Sequence, residues 1–352
     1  MTLVTPVVQR WIQDGLRDPE RFWERAADEL PWFRRWDRVF EWNFPAFRWF
    51  VGAQTNLAHN ALDRHVAAGR GGHAALIYLN ERGEREVFTY AQLLHEVKRI
   101  AAALRGLGVR RGDRLTIYMP PCPQAIALML ATVRIGAIHS VIFAGFGARA
   151  LADRIQASGS RLVFTADITY RKGKQVRLKE IVDRALESGG ASDSPALTVV
   201  VLQRGSEPAP MTPGRDLTWD ELVGAAAGHD SDCARMEAND PAYILATSGT
   251  TARPKLAIHT HGGYQVHIFS MGRWCFGLKP ADVWWATSDI GWIVGHSYMV
   301  YAPLITGCTT VVFEGALDYP HAEANWRVAV EEVRCHGHLH VADGDPDADE
   351  IR

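Results

Sequence analysis

The chain reads as an α/β protein, with layered βαβ subdomains preceded by a mainly helical segment. From Thr89 onward, stretches with helical apolar spacing alternate with short β-branched runs, and such alternation builds parallel βαβ units. HSVIFAG and TVVVLQ are largely apolar, the pattern of strands buried in a layered body. With 352 residues, 47% hydrophobic and 12 Trp among them, the chain can bury a sizeable core, in two domains or one large α/β unit.

Residues 1–68 are rich in Trp and Arg and contain WFRRWDRVFEWNFPAFRWFVGAQTN. An aromatic run can stack nucleic-acid bases, but the interleaved Asp37 and Glu41 favour packing, so the segment is expected to be a mostly helical layer wrapped on a larger body. TYAQLLHEVKRIAAALRGLG then places Leu93, Leu94, Val97, Ile100, Ala101 and Leu104 at helical spacing, with Gly106 and Gly108 as the stop. RGDRLTIYM follows as a strand, PCPQAIALMLATVRIGA as an apolar helix with Pro123 near its start, and HSVIFAG as a strand. ADRIQASG continues as a helix, RLVFTAD and TVVVLQ as strands. ESGGASDSP (187–195) and GSEPAPMTPGRD (205–216) read as loops within the body, and no internal repeat is visible.

Composition excludes several classes. Lys and Arg number 38 against 40 Asp and Glu, a net charge of -2, which rules out a broadly basic nucleic-acid binder and a disordered chain. Five Cys without CxxC spacing fit a reducing compartment. The N-terminus becomes charged before it could act as a signal peptide, and no apolar run is long enough to span a bilayer. A cytoplasmic protein with neither membrane nor nucleic-acid partners is the expectation.

Two motifs compete for a nucleotide. Gly145-Phe-Gly147-Ala-Arg-Ala150 lies between a strand and a helix, with Asp167 ending the next strand, as in a dinucleotide-binding fingerprint of an NAD(P)-dependent oxidoreductase. A GxGxxA turn also serves as an ordinary tight turn. The stronger signal is YILATSGTTARPKLAIHTHGGY (243–264), where a strand runs into Thr247, Ser248, Gly249, Thr250 and Thr251, followed by Lys255. Small residues let successive N–H groups turn inward around an anion, hydroxyls add donors, and the lysine adds a point charge. That chemistry suits a polyphosphate; a solvated Ser/Thr turn is the plainer alternative.

The 243–264 stretch resembles the phosphate-binding signature of the acyl-adenylate-forming superfamily, and the wider chain is similar to its short-chain acyl-CoA synthetases. NALDRHVAAGRG (60–71), YMPPCPQAIALMLATVRIGAIHSVIFAGF (118–146), TADITYRKGKQVRLK (165–179), WWATSDIGWIVGHSYMVYAPLITGCTTVVFEG (284–315) and DYP (318–320) carry the likeness, which spans residues 10–332. The resemblance implies an AMP-forming carboxylate–CoA ligase, with acetate or propionate as first candidates and ATP, Mg²⁺ and coenzyme A as co-substrates and cofactor. A non-catalytic interaction protein retaining the fold is the other class to weigh.

By the same resemblance, Thr247 to Thr251 and Lys255 would hold the β- and γ-phosphates of ATP. Arg171, Lys174, Val294 and Asp318 would contact CoA, and Trp292, Ile293 and Val294 would line the acyl pocket. An exposed basic turn at YRKGK and a packed core strand at 292–294 are the alternatives, and His296 is expected to be structural. The chain departs from the family pattern at Ala252 and Leu256, usually Gly, at Lys174, often Arg, at Val294, commonly Thr, and at Asp318, where Asn or Thr is expected. Ala252 restricts the loop, and Lys174 replaces a bidentate fork by a point charge.

The resemblance divides the chain into a helical segment 1–68, a partial AMP-binding domain 69–332 and an aberrant tail 333–352. The family's later motifs, including the adenylation lysine, are not found, so no catalytic residue is assigned and the expectation is a truncated N-terminal part without full activity. Cys335, His336, His338 and His340 invite a metal reading of the tail. A frameshift accounts for more: permitted codons for Val333 to Arg352, read one nucleotide later, give FGVTGIFTSPTAIRMLTRYG, the text that the family pattern calls for, and no metal site is then expected.

Overall fold

The computed structural model describes residues 5–188, 197–247, 254–332 and 337–340, with backbone alone for 331–332 and 337–340. Helices α1 (Pro6–Arg17) and α2 (Pro19–Ala27) each start with Pro, which needs no N–H there, behind the side-chain caps Thr5 and Asp18. The aromatic stretch that follows departs from the helical expectation. It forms a hairpin of β1 (Arg38–Asn43) and β2 (Ala46–Val51), which pairs Phe40 with Trp49 and Trp42 with Phe47 across the strands. Their ring centroids lie 4.6 and 6.5 Å apart, so cross-strand aromatic contact stabilises the strands where the density of Trp and Arg had suggested a helix face. The short β3 (Gln54–Thr55) and wide helical turns at His59–Asp63 and Val66–Arg70 lead into the body.

β4 (Ala74–Asn80) and β5 (Arg85–Thr89) precede α3 (Tyr90–Gly106), which a Thr89–Gln92 capping box starts. Next come β6 (Arg114–Tyr118), α4 (Pro123–Arg134), β7 (Ile138–Val141), α5 (Ala148–Ser158) and β8 (Leu162–Ala166), the alternation anticipated above. β9 (Thr169–Arg171) and β10 (Lys174–Val176) form a small hairpin before α6 (Leu178–Ser188). That helix enters the stretch read as a loop at 187–195, whose remainder lies outside the described residues. β11 (Thr198–Leu202), β12 (Asp216–Thr218), α7 (Trp219–Gly224) and β13 (Met236–Glu237) lead to the pair β14 (Pro241–Thr247) and β15 (Lys255–Thr260). α8 (His261–Trp274), β16 (Val283–Thr287), α9 (Ala302–Thr306), β17 (Thr309–Glu314) and β18 (Gly337–His340) complete the sheets.

The larger sheet has seven strands in the order β12-β11-β8-β6-β7-β14-β15, parallel except for β15. The second has five, β18-β16-β17-β4-β5, parallel except for β5. α3 packs on α4 and on β4 and β5, and α4 packs on β7, so these helices form the layer between the sheets. This position explains why α4 is buried on nearly every face and apolar throughout its length. β7 and β8 flank β6 on opposite sides, so the chain reverses its direction of winding there, the place where open α/β sheets bind ligands beyond their carboxyl ends. Of the tail, only Gly337–His340 is described, as a strand parallel to β16; the side chains of Cys335, His336, His338 and His340 are outside the described set. Among the described residues, no helix is long and apolar enough to cross a membrane.

Candidate functional site

The described candidate residues follow the carboxyl ends of parallel strands. Thr247 ends β14, Arg171 ends the hairpin strand that follows β8, Trp292 to Val294 follow β16, and Asp318 follows β17. Contacts link the Arg171 end to the ends that carry Trp292 and Asp318. The Arg171 guanidinium lies 5.8 Å from the Phe143 ring, which also lies 5.8 Å from Trp292 between centroids. Lys172 Nζ donates to Asp318 at 2.9 Å. A Cβ on Gly291 would sit 2.6 Å from the Phe143 backbone N, so only glycine permits the loop after β16 to pack on the loop after β7. Phe143 was not singled out in the sequence, although its position just past a buried strand was the available signal.

Thr247 and Lys255 are register partners that close the β14–β15 pair, with Thr247 Oγ1 donating to the Lys255 carbonyl at 3.2 Å. Both residues are exposed where the chain leaves the sheet. Ser248, Gly249, Thr250 and Thr251 lie outside the described residues, so the geometry stops at the two posts of that loop.

Arg171 and Lys174 face each other across the two-residue turn Lys172-Gly173. At the base of this hairpin, Glu314 accepts from Thr169 Oγ1 at 2.7 Å, from Tyr78 Oη at 2.5 Å and from both Arg204 terminal nitrogens at 2.7 Å. This buried cluster ties the hairpin to β17, and nothing in the local sequence announces it. Asp318 is engaged by Lys172, whose ammonium holds its carboxyl below the ordinary 3.8.

The stretch at 292–294 is not a core strand. It enters a helix that runs through wide turns at Gly295–Tyr301 into α9, and its three side chains part company. Trp292 turns toward Phe143 and Phe146, while Ile293 and Val294 line a cavity of ≈ 620 Å³ with Trp49, Tyr264, Ser297 and Tyr298. His296 is fully buried beneath it, donating Nδ1–H to the Trp292 carbonyl at 2.9 Å and stacked 4.5 Å from Tyr243. Burial pushes this imidazole down to about 4, in keeping with a structural role for a neutral ring.

The dinucleotide reading fails on both of its parts. A Cβ on Gly145 would lie 2.3 Å from the folded-back Phe143 ring, which accounts for the glycine without a ligand. Asp167 is buried and accepts from the N–H groups of Ile168, Arg204 and Gly205 and from Gln203 Nε2, leaving it committed to the protein rather than to a ribose. Among the described residues no group of three or more His, Cys, Asp or Glu is placed to hold a metal ion.

The fold is a doubly wound α/β body whose candidate residues follow the carboxyl ends of its strands. A family model for AMP-binding enzymes matches residues 63–341, and one for the acetyl-coenzyme A synthetase N-terminus matches residues 8–61. The chain belongs to the AMP-binding enzyme family. It is 45% identical over 322 residues to an acetyl-coenzyme A synthetase of Deinococcus radiodurans, a match covering 91% of this chain and 49% of that protein. A 3-hydroxypropionyl-coenzyme A synthetase of Metallosphaera sedula is 48% identical over 318 residues, 90% of this chain and 47% of that protein. The human mitochondrial acyl-CoA synthetase short-chain family member 3 is 42% identical over 320 residues, 90% and 46% respectively. The chain spans about half the length of the curated relatives it matches.

Proposed function

We propose that the chain is part of an ATP-dependent, AMP-forming ligase that joins a short carboxylic acid to coenzyme A in the cytoplasm. The carboxylate oxygen attacks the α-phosphorus of ATP and expels pyrophosphate. The CoA sulfur then attacks the acyl carbon of the acyl-adenylate, and AMP leaves. The observation that carries the reading is the match of the AMP-binding family over residues 63–341, supported by CoA and acyl candidates that follow the carboxyl ends of neighbouring strands and by Thr247 at the end of β14.

In this reading Thr247 to Thr251 and Lys255 cradle the β- and γ-phosphates, placing donors where charge accumulates as pyrophosphate leaves. Mg²⁺ arrives as part of the MgATP substrate, bound to the triphosphate. Arg171 and Lys174 take the phosphates of the CoA nucleotide, with Asp318 acting through Lys172. Ile293 and Val294 face the apolar end of the acid, while Trp292 packs on Phe143 and Phe146 away from that cavity. Val294 offers a methyl where a hydroxyl is common, which makes this wall more apolar at nearly unchanged size and leaves both acetate and propionate as candidates. The adenylation lysine is not assigned within these residues.

The domain boundaries 1–68, 69–332 and 333–352 belong to the same proposal, as does the frameshift origin of the tail. Sequencing the gene tests the tail: an intact frame through Arg352 with no synthetase text in the neighbouring frame ends that idea. ATP–pyrophosphate exchange over acetate, propionate and 3-hydroxypropionate tests the activity, on this chain and on the chain read through in the neighbouring frame. Exchange that depends on the acid in the read-through protein is expected; its absence there with every acid would overturn the ligase reading.

A further inference from the structure

The hairpin that carries Arg171 and Lys174 is held at its tip by a residue outside every motif considered so far. Glu81, one residue past β4, accepts the Gly173 N–H on Oε1 at 2.8 Å and the Lys172 N–H on Oε2 at 3.0 Å. Its Oε2 also accepts the Ala316 N–H at 3.0 Å. One carboxylate thereby joins the loop after β4, the hairpin tip, and the loop after β17 that leads to Asp318.

The tip needs such a clamp. Lys172 and Gly173 both adopt left-handed backbone, with φ of 51° and 72°. Glycine suits the second position, where a Cβ would also meet Tyr319 Oη at 2.4 Å, but lysine is unfavourable at the first. Arg171 and Lys174 are directly opposed in register, so their side chains leave the same face of the hairpin and their like charges repel. Backbone strain and repulsion both favour opening of the turn. A carboxylate that accepts both turn N–H groups and adds a negative charge beside the two cations opposes each of these.

We propose that Glu81 is the positioning residue for the basic pair: it holds the Lys172-Gly173 turn closed so that Arg171 and Lys174 present one preformed anion site. The inference rests on the reading of this hairpin as the contact for the phosphates of the CoA nucleotide, and it adds the residue that sets the geometry of that contact.

Glu81→Gln replaces an acceptor oxygen by an NH₂ group and so loses part of the clamp. In the 352-residue chain, amide exchange at Lys172 and Gly173 should quicken about tenfold, and calorimetric affinity for CoA should fall about tenfold, with the thermal midpoint little changed. Adding Lys172→Asn puts Asn-Gly, the favoured left-handed pair, in the turn and should restore slow exchange at the tip; because it also removes the ammonium that pairs with Asp318, the CoA affinity of the double variant is compared with that of Lys172→Asn alone and should equal it. Recovery through the turn sequence alone is not expected of a residue that acts only by its charge or by general support of the fold.

Unchanged exchange and unchanged CoA affinity in Glu81→Gln would overturn the inference while leaving the CoA reading intact. Failure of Lys172→Asn to restore slow exchange, or a CoA affinity of the double variant still well below that of Lys172→Asn alone, would overturn it as well. A wild-type chain that binds no CoA, in which Glu81→Gln still quickens exchange at the tip, would instead defeat the CoA reading and with it the positioning role. Should Glu81→Gln not fold, Glu81→Asp keeps both oxygens one methylene short and gives the same two readouts with smaller shifts.

Discussion

The aromatic interior around Tyr243 and the ionic clasp around the basic hairpin are held together by opposite means. In the interior, rings stack: His139 lies 5.4 Å from Tyr243, and Tyr243 lies 4.5 Å from both His296 and His259. His139 Nδ1, His296 Nε2 and nearby His261 Nε2 are buried without a hydrogen-bond partner among the described residues. In the clasp, Glu314 and Asp167 have donors on both carboxylate oxygens, and Arg204 joins the two by ion pair and backbone N–H. The interior therefore depends on its imidazoles staying neutral, whereas the clasp depends on its carboxylates staying charged.

Acid should separate the two regions, with the largest effect expected of any single change. Burial lowers His296 from 6.5 to about 4, His261 to about 3 and His139 well below its ordinary value. Below pH 6.5 the unfolded chain takes up protons that these folded-state imidazoles refuse, so stability is constant above that value and falls as pH drops toward about 4. Each loses about 1.4 kcal/mol per pH unit in that window, about 2 kcal/mol apiece by pH 5. Asp318, held below 3.8, keeps its contribution until the pH falls beneath that value. Thermal midpoints from pH 8 to pH 5 check this: a steep decline beginning near pH 6.5 is expected, and a flat profile would break the contrast.

Next in size is the removal of a clasp carboxylate. Glu314→Ala leaves the Arg204 guanidinium, 15% exposed, without its bidentate partner and frees the Tyr78 and Thr169 hydroxyls inside the protein. An expected loss of about 3–5 kcal/mol follows from an uncompensated buried charge. Urea denaturation near pH 7.5 measures it, and a loss under about 1 kcal/mol would show that water replaces the carboxylate at little cost.

The same two regions differ in how far residue types alone foretold them. The βαβ course from α3 to β8 was legible because Leu93, Val97, Ile100 and Leu104 repeat at helical spacing and the short runs between helices are apolar. The β1–β2 hairpin was not, since its strand signal, aromatic residues around a Phe-Pro turn, is carried by the Trp and Arg that also suggested a packed helical layer. In the site, Thr247, Lys255, Arg171 and Lys174 stand in local motifs and could be named in advance. Glu81 and Glu314 could not, because their partners lie 91 and 110 residues away and a charged turn such as ERGER reads as solvated. Trp292 was expected to line the acyl pocket with its two neighbours, but its ring turns instead toward Phe143 and Phe146, a course set by how the loops after β7 and β16 meet.

The smallest expected effect is at the exposed end of the clasp. Lys172 and Asp318 are 56% and 60% exposed in their side chains, so water and salt screen their attraction and its loss should cost no more than about 1 kcal/mol of stability. Asp318→Asn, which installs a residue usual at this position in the family pattern, removes a negative charge beside two cations and releases the Lys172 ammonium. Coenzyme A should then bind more tightly, by about two- to threefold at low ionic strength, and the gain should vanish in about 0.5 M salt, where charges this exposed no longer sense one another. Weaker binding of the Asn variant would mean that Asp318 orders the hairpin as Glu81 does, and the division between a buried clasp that sets the fold and an exposed pair that only trims charge would have to be redrawn.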